Sequence, residues 1–146
     1  MRQKEFLERL DQKRVLAAIQ EAERQTSGEI RIHVQPKATG ELRAVAERTF
    51  ERLGMTKTSL RNGVLLFIAT EEQRFVILGD RGLDQKVPAG FWDDIAGRMG
   101  ERFVKGELTE GIEEAVLAAG LQLRAFFPRA ADDVNELSDE IDVSDE

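Results

Sequence analysis

Glu29, Asn62, Asp80 and Asp84 are the side chains whose types and positions in this sequence suggest chemistry. Each stands at or just beyond the end of an apolar run. Thr26 and Ser27 precede Glu29, and Gln85 follows Asp84. The set therefore offers only oxygen donors, carboxylates foremost, on irregular backbone. Hard cations such as Ca2+ and Mg2+ take ligands of this kind. The same residues also have a plainer reading. Asp80 suits the cap of a following helix or the amides of a turn, and Glu29 suits a solvated strand end.

Composition narrows the chemistry further. The chain has no cysteine, no tyrosine and one histidine, which excludes disulfides, thiolate metal sites and cysteine nucleophiles. His33, with no second histidine and no thiol, does not make a zinc site; its place within an alternating run predicts a ring packed under a helix. The net charge of −7 is unevenly placed: residues 1–128 hold 20 acidic and 20 basic side chains, while residues 129–146 hold 8 acidic ones and a single Arg. A neutral body with an acidic tail lacks the basic face that nucleic-acid binding needs. Two regions are predicted, a domain over 1–128 and a disordered acidic tail over 129–146. The tail stretch Asp132-Asp133-Val134-Asn135-Glu136-Leu137-Ser138-Asp139-Glu140 resembles a calcium loop only faintly. It lacks the glycine at its sixth position and an aligned closing Glu, so it is not an EF-hand. The N-terminus carries charge at helical spacing and no signal-like apolar stretch, and no segment is long enough to span a bilayer. A cytoplasmic monomer is expected.

The elements that must position these residues follow from periodicity. Phe6, Leu7, Leu10, Val15, Leu16, Ile19 and Ala22 mark a helical region from Gln3 to Gln25, with a possible break near Asp11. Ile30, Ile32 and Val34 alternate over a strand from Glu29 to Gln35. Thr39 suits the N-cap of a helix carrying Leu42, Val45, Ala46, Phe50 and Leu53, closed by Gly54. Val64 to Ala69 and Phe75 to Leu78, joined by Thr70 to Arg74, read as a hairpin. Phe91, Trp92, Ile95, Met99 and Phe103 form one further helical stripe, and a last helix covers Leu108 to Phe127 before Pro128. At that spacing Phe91 and Trp92 belong to the core rather than to a binding lip.

Strand, helix, strand implies a parallel pair joined by a right-handed crossover, to which the hairpin adds an antiparallel strand. Helices on both faces make an α/β protein: a three-layer α/β/α sandwich around a small mixed sheet. Glu29 and Asn62 then lie at the starting edge of the parallel strands. Asp80, at the end of the returning strand, lies on that same edge. The opposite edge holds Lys37-Ala38-Thr39-Gly40 and Thr70 to Arg74, with no glycine-rich phosphate motif, and reads as ordinary loop.

Three segments in order, Ser27-Gly28-Glu29-Ile30, Arg61-Asn62-Gly63-Val64-Leu65 and the glycine turn Gly79-Asp80-Arg81-Gly82, resemble the TPM-domain family over about residues 3–128. Phe91-Trp92 and Asn135-Glu136-Leu137 near an acidic end are similar to its short, leaderless bacterial subgroup. The resemblance implies a Rossmann-like sandwich and metal binding, and it raises phosphatase activity, described for some relatives. The sequence has no Cys-based loop, no Arg-His-Gly, no paired-Asp nucleophile motif and no P-loop. The leading expectation is a domain that binds Ca2+ or Mg2+ weakly at Glu29, Asn62, Asp80 and Asp84 and acts as an accessory or protein-interaction module. A weak metal-dependent phosphatase using Arg61 or Arg81 to meet phosphate, and a scaffold without metal, stand as alternatives.

Overall fold

The computed structural model describes residues 1–129 and 139–144. Two helices open the chain, α1 (Gln3–Arg9) and α2 (Gln12–Glu23). The expected break falls at Asp11, whose carboxylate caps α2 by accepting the Arg14 N–H at 3.2 Å. Strand β1 (Glu29–Gln35) leads through α3 (Leu42–Arg52) to β2 (Gly63–Ala69) and β3 (Arg74–Gly79). A short helix α4 (Arg81–Asp84) precedes α5 (Phe91–Val104) and α6 (Leu108–Phe126), and β4 (Asp142–Val143) closes the described chain. Helix α3 starts later than Thr39 suggests. Gly40, at φ 103°, extends the loop, and Glu41 caps the helix by accepting the Ala44 N–H at 2.6 Å.

The sheet order is β3-β2-β1-β4. Strands β1 and β2 pair in parallel, with Glu29 opposite Gly63. Strands β2 and β3 pair antiparallel, with Val64 opposite Gly79. Every residue of β2 is buried, which fits a central strand covered on both faces. The alternation of the strands sorts the core into two layers. Ile30, Ile32, Val64, Leu66 and Ile68 pack toward α2, α5 and α6, while Leu65 and Phe67 pack toward Ala46 and Phe50 of α3. The three-layer α/β/α sandwich with a mixed sheet is the observed architecture.

The C-terminal stretch needs a correction. Residues 130–138 and 145–146, which hold the first seven residues of the faint calcium-loop stretch and most of the acidic tail, lie outside the described residues. Asp142 and Val143, however, pair in parallel with His33 and Val34. They form a fourth strand on the outer edge of β1, so this part of the segment expected to be disordered joins the sheet. The reason lies in side chains rather than in apolar periodicity. Asp142 Oδ2 sits 2.5 Å from His33 Nδ1 and accepts from Arg52 Nη2 at 3.0 Å. The His33 ring is fully buried, stacks on Phe67 at 5.2 Å, and places Nε2 2.7 Å from Gln35 Oε1.

Candidate functional site

The register brings the three expected strand ends to one edge. Asp80 follows β3 and donates its N–H to the Gly63 carbonyl at 2.9 Å, so it lies beside the start of β2. Glu29 starts β1 opposite Gly63. The turn holding Asp80 is compact because it lacks side chains at two points. A Cβ on Gly79 would lie 2.8 Å from the Trp92 ring, and one on Gly82 would lie 2.4 Å from the Leu60 carbonyl oxygen. The Gly82 N–H donates to the Arg61 carbonyl at 2.9 Å, tying the two turns together.

Asp80 is the centre of this edge. It is 6% exposed. Arg61 grips its carboxylate with two bonds, Nε to Oδ2 at 2.6 Å and Nη2 to Oδ1 at 2.8 Å. Such a fork is the strong form of a charged hydrogen bond. The Asp80 bonds push the Arg61 pKa above its ordinary value. Asp80 Oδ1 also accepts the Arg81 N–H at 2.8 Å and so caps α4. Arg61, at φ 52°, holds the left-handed backbone at this turn.

The four expected ligands divide into two pairs. Asp80 and Asp84 line one cleft of about 590 Å³ between α3 and the turn after β3. Glu29 and Asn62 are 3% and 2% exposed, and neither lines that cleft. Asn62 Nδ2 donates to Ser27 Oγ at 3.4 Å. The backbone convergence therefore holds, but the side chains do not meet at one point. No group of three or more His, Cys, Asp or Glu able to hold a metal ion occurs among the described residues.

Two sets of residues escaped the sequence reading. Helix α3 presents Glu47 and Glu51 to the cleft together with Arg43 and Arg48, beside the already expected Arg81. The i, i+4 spacing of Arg43, Glu47 and Glu51 is a visible signal of one helix face. Such a face is equally an ordinary solvated one, so only packing beside Asp80 singles it out. Glu23 is the other omission. This residue ends α2, is 6% exposed, and accepts the Ile30 N–H at 2.9 Å. Burial, then a hydrogen bond with Asp139, pushes its pKa up to about 9. Nothing in the local sequence distinguishes it from the exposed Glu21 of the same helix.

The TPM domain family matches residues 1–122. Solved structures to which the chain is similar include the following two. The BA42 protein of the psychrophilic bacterium Bizionia argentinensis is 35% identical with a TM-score of 0.84, over 91% of this chain and 92% of that one. The N-terminal domain of a protein from P. gingivalis is 25% identical with a TM-score of 0.63, over 78% of this chain and 74% of that one. No protein with curated function matches.

Proposed function

Since the chain belongs to the TPM domain family, we propose that it is a binding module which takes up Ca2+ or Mg2+ weakly at Asp80 and Asp84 and serves as an accessory or protein-interaction domain. The observation that carries this reading is that Asp80 and Asp84 line one cleft, with Glu47 and Glu51 on its α3 wall. Carboxylate oxygens beside a short helix offer a hard cation direct ligands and leave room for its waters. Glu29 and Asn62 act from behind, by fixing the strand starts on which Asp80 rests. Arg61 competes with the cation for Asp80, so affinity falls at the weak end, on the order of 10⁻⁴ to 10⁻³ M.

Titration with Ca2+ through the millimolar range, followed by amide NMR, tests the reading. Saturable shifts at Gly79 to Asp84 are expected, and the exposed Asp84→Asn variant should reduce them without lowering the melting midpoint. Arg61→Gln should weaken the fold and strengthen the calcium response, because Asp80 loses its competitor. Shifts absent from this edge, or unchanged in both variants, would overturn it.

A weak metal-dependent phosphatase is the second reading, favoured by Arg43, Arg48 and Arg81 on the same cleft. Guanidinium groups fork onto phosphate as they do onto carboxylate. Phosphate release that requires Mg2+ and is lost in Asp84→Asn would promote it over the first.

A further inference from the structure

His33 lies toward the carboxyl end of β1 with its side chain fully buried. Both ring nitrogens have oxygen neighbours. Nδ1 is 2.5 Å from Asp142 Oδ2 on β4, and Nε2 is 2.7 Å from Gln35 Oε1. The Gln35 amide in turn donates from Nε2 to the Lys37 carbonyl at 2.7 Å. Four groups thus stand in a row of three contacts, with an acceptor at each end.

Each contact needs one hydrogen, and the donors available decide where it comes from. The Lys37 carbonyl has none, so the Gln35 amide must turn its NH2 toward it. That sets Gln35 Oε1, an acceptor, against His33 Nε2. The ionised Asp142 carboxylate, which also takes a bond from Arg52 Nη2 at 3.0 Å, likewise only accepts. Both remaining hydrogens must come from the ring. A neutral imidazole carries one and the imidazolium carries two. Rotating the Gln35 amide does not help, because it sets the amide oxygen against the Lys37 carbonyl. With a neutral ring, every arrangement leaves one contact without its hydrogen, and unmade bonds are costly at a buried position. The charged groups around the ring pull in both directions. Asp142 on β4 touches the ring and favours positive charge. Arg52 of α3, across that carboxylate, and Arg31, two residues earlier on the same face of β1, oppose it. Strand β2 presents the uncharged Phe67, stacked at 5.2 Å, and the Lys37 side chain is exposed.

We propose that His33 is a proton-operated latch: with a hydrogen on each ring nitrogen it holds β4 against β1, and loss of one hydrogen loosens the strand and bares that edge of the sheet. Strand β4 is short enough for one side chain to matter. Asp142 and Val143 pair with His33 and Val34, the Ser144 N–H donates to the Val34 carbonyl at 2.9 Å, and Ile141 packs against the core. A hydrogen bond between two charged groups is about twice as strong as a neutral one, so the second ring hydrogen strengthens the hold on Asp142. The sign follows from linkage. The doubly protonated ring belongs to lower pH, so the hold on β4 weakens as pH rises. A bared edge offers its unpaired backbone groups to another strand. The latch involves neither Asp80 nor Asp84 and stands apart from the cation reading.

Two measurements on the full chain test the latch, each made on the parent and on Asp142→Asn. The variant removes the need for the second hydrogen. Its amide can donate to Nδ1 and accept from Arg52, while a neutral ring with its hydrogen on Nε2 serves Gln35. The first measurement is nitrogen NMR of the ring at neutral pH, where free imidazole is mostly neutral. The parent should show a hydrogen on both nitrogens, and the variant one hydrogen, on Nε2. The second is protection of the Ser144 amide against hydrogen exchange, which reports whether β4 is docked. The ratio of parent to variant protection should fall about tenfold from about pH 6 to about pH 9, the factor that separates a charged hydrogen bond from a neutral one. The contact between Glu23 and Asp139 is common to both chains and cancels in that ratio. A single ring hydrogen in the parent with β4 docked would overturn the proposal. So would a ratio that does not change with pH, or a variant ring with hydrogens on both nitrogens.

Discussion

Glu23 is where a single ionisable group bears most directly on stability. Its carboxyl is buried at the end of α2, where it serves the Ile30 N–H and meets Asp139. Burial raises its pKa from an ordinary 4.5 to about 9. The folded form therefore holds a proton at neutral pH that the unfolded chain has released. Stability from this group is fully present below pH 4.5 and is lost progressively as pH rises toward about 9. Glu23→Gln should remove this slope. The amide oxygen can accept from Ile30 and the amide nitrogen can donate to Asp139, with no proton to lose. Melting midpoints taken between pH 5 and pH 9 should fall more gently in the variant, and at pH 8 the variant should be the more stable protein. A slope identical to that of the parent chain would place the titration elsewhere. The Arg61–Asp80 pair poses a related question of scale. Asp80 is nearly buried while Arg61 is partly exposed, so the pair contributes to stability less than a fully buried one would. Its larger role is to decide whether a cation can reach Asp80.

At the scale of elements, the edge depends on two turns pressed together, and glycine makes that approach possible. The close contacts fall at Gly79 and Gly82 rather than at Gly63. A Cβ on Gly63 would meet Met55 Cε at 3.4 Å, the limit of ordinary contact with a flexible side chain. A Cβ on Gly82 would strike the carbonyl oxygens of Leu60 and Arg61 at 2.4 and 2.7 Å, which are backbone atoms and yield only if the turn moves. Gly82→Ala should therefore cost about 1–3 kcal/mol in urea unfolding, within the range of overpacking substitutions. Gly63→Ala should cost less than Gly82→Ala, because its nearest contact is the flexible end of a side chain rather than backbone. Equal costs for the two would mean that the turn of Leu60 and Arg61 is not held in place by Gly82. Helix α3 shows the same dependence on context. Its polar face has nothing unusual in its sequence, and becomes one wall of a cleft only because it packs beside β3 and the turn that follows.

For the molecule as a whole, strand β4 connects the acidic end of the chain to the sheet. Burial works to raise the Asp142 pKa, but the hydrogen bonds from His33 and Arg52 outweigh it and hold the pKa below the ordinary value of 3.8. A depressed carboxylate pKa contributes stability at pH above its ordinary range, and that stability is lost as pH falls through the lowered value. A chain ending at Arg129 should melt lower than the full chain at pH 7. It loses the Asp142 contacts, bares the edge of β1 and leaves the buried His33 ring with one partner fewer. Asp142→Asn should account for about 1–2 kcal/mol of the difference, the range of a charge-assisted hydrogen bond that is partly exposed. The gap between variant and parent should narrow below pH 4. An unchanged midpoint in the shortened chain would show that residues beyond Arg129 add nothing to the fold. No helix among the described residues is long and apolar enough to cross a membrane.

Much of this architecture was legible in the residues alone. Alternation over Ile30, Ile32 and Val34, helical spacing in α2, α5 and α6, and the two close apolar runs of the hairpin are local signals. Each reflects the requirement that one face of an element be buried. Strand order and direction followed, because a helix between two strands forces a parallel crossover. That was enough to bring Glu29, Asn62 and Asp80 to one edge. It was not enough to say which side chains reach the cleft. Whether a carboxylate at a strand end is ligand, cap or ion-pair partner depends on atoms distant in sequence. Asp80 is held by Arg61, 19 residues earlier, and Asp142 by His33, 109 residues earlier. A two-residue strand has too few positions to show a period, so β4 left no local trace. Periodicity records burial, which each element carries in its own sequence. Hydrogen bonds and charge pairs between distant segments are settled only when tertiary packing brings their partners within about 3 Å.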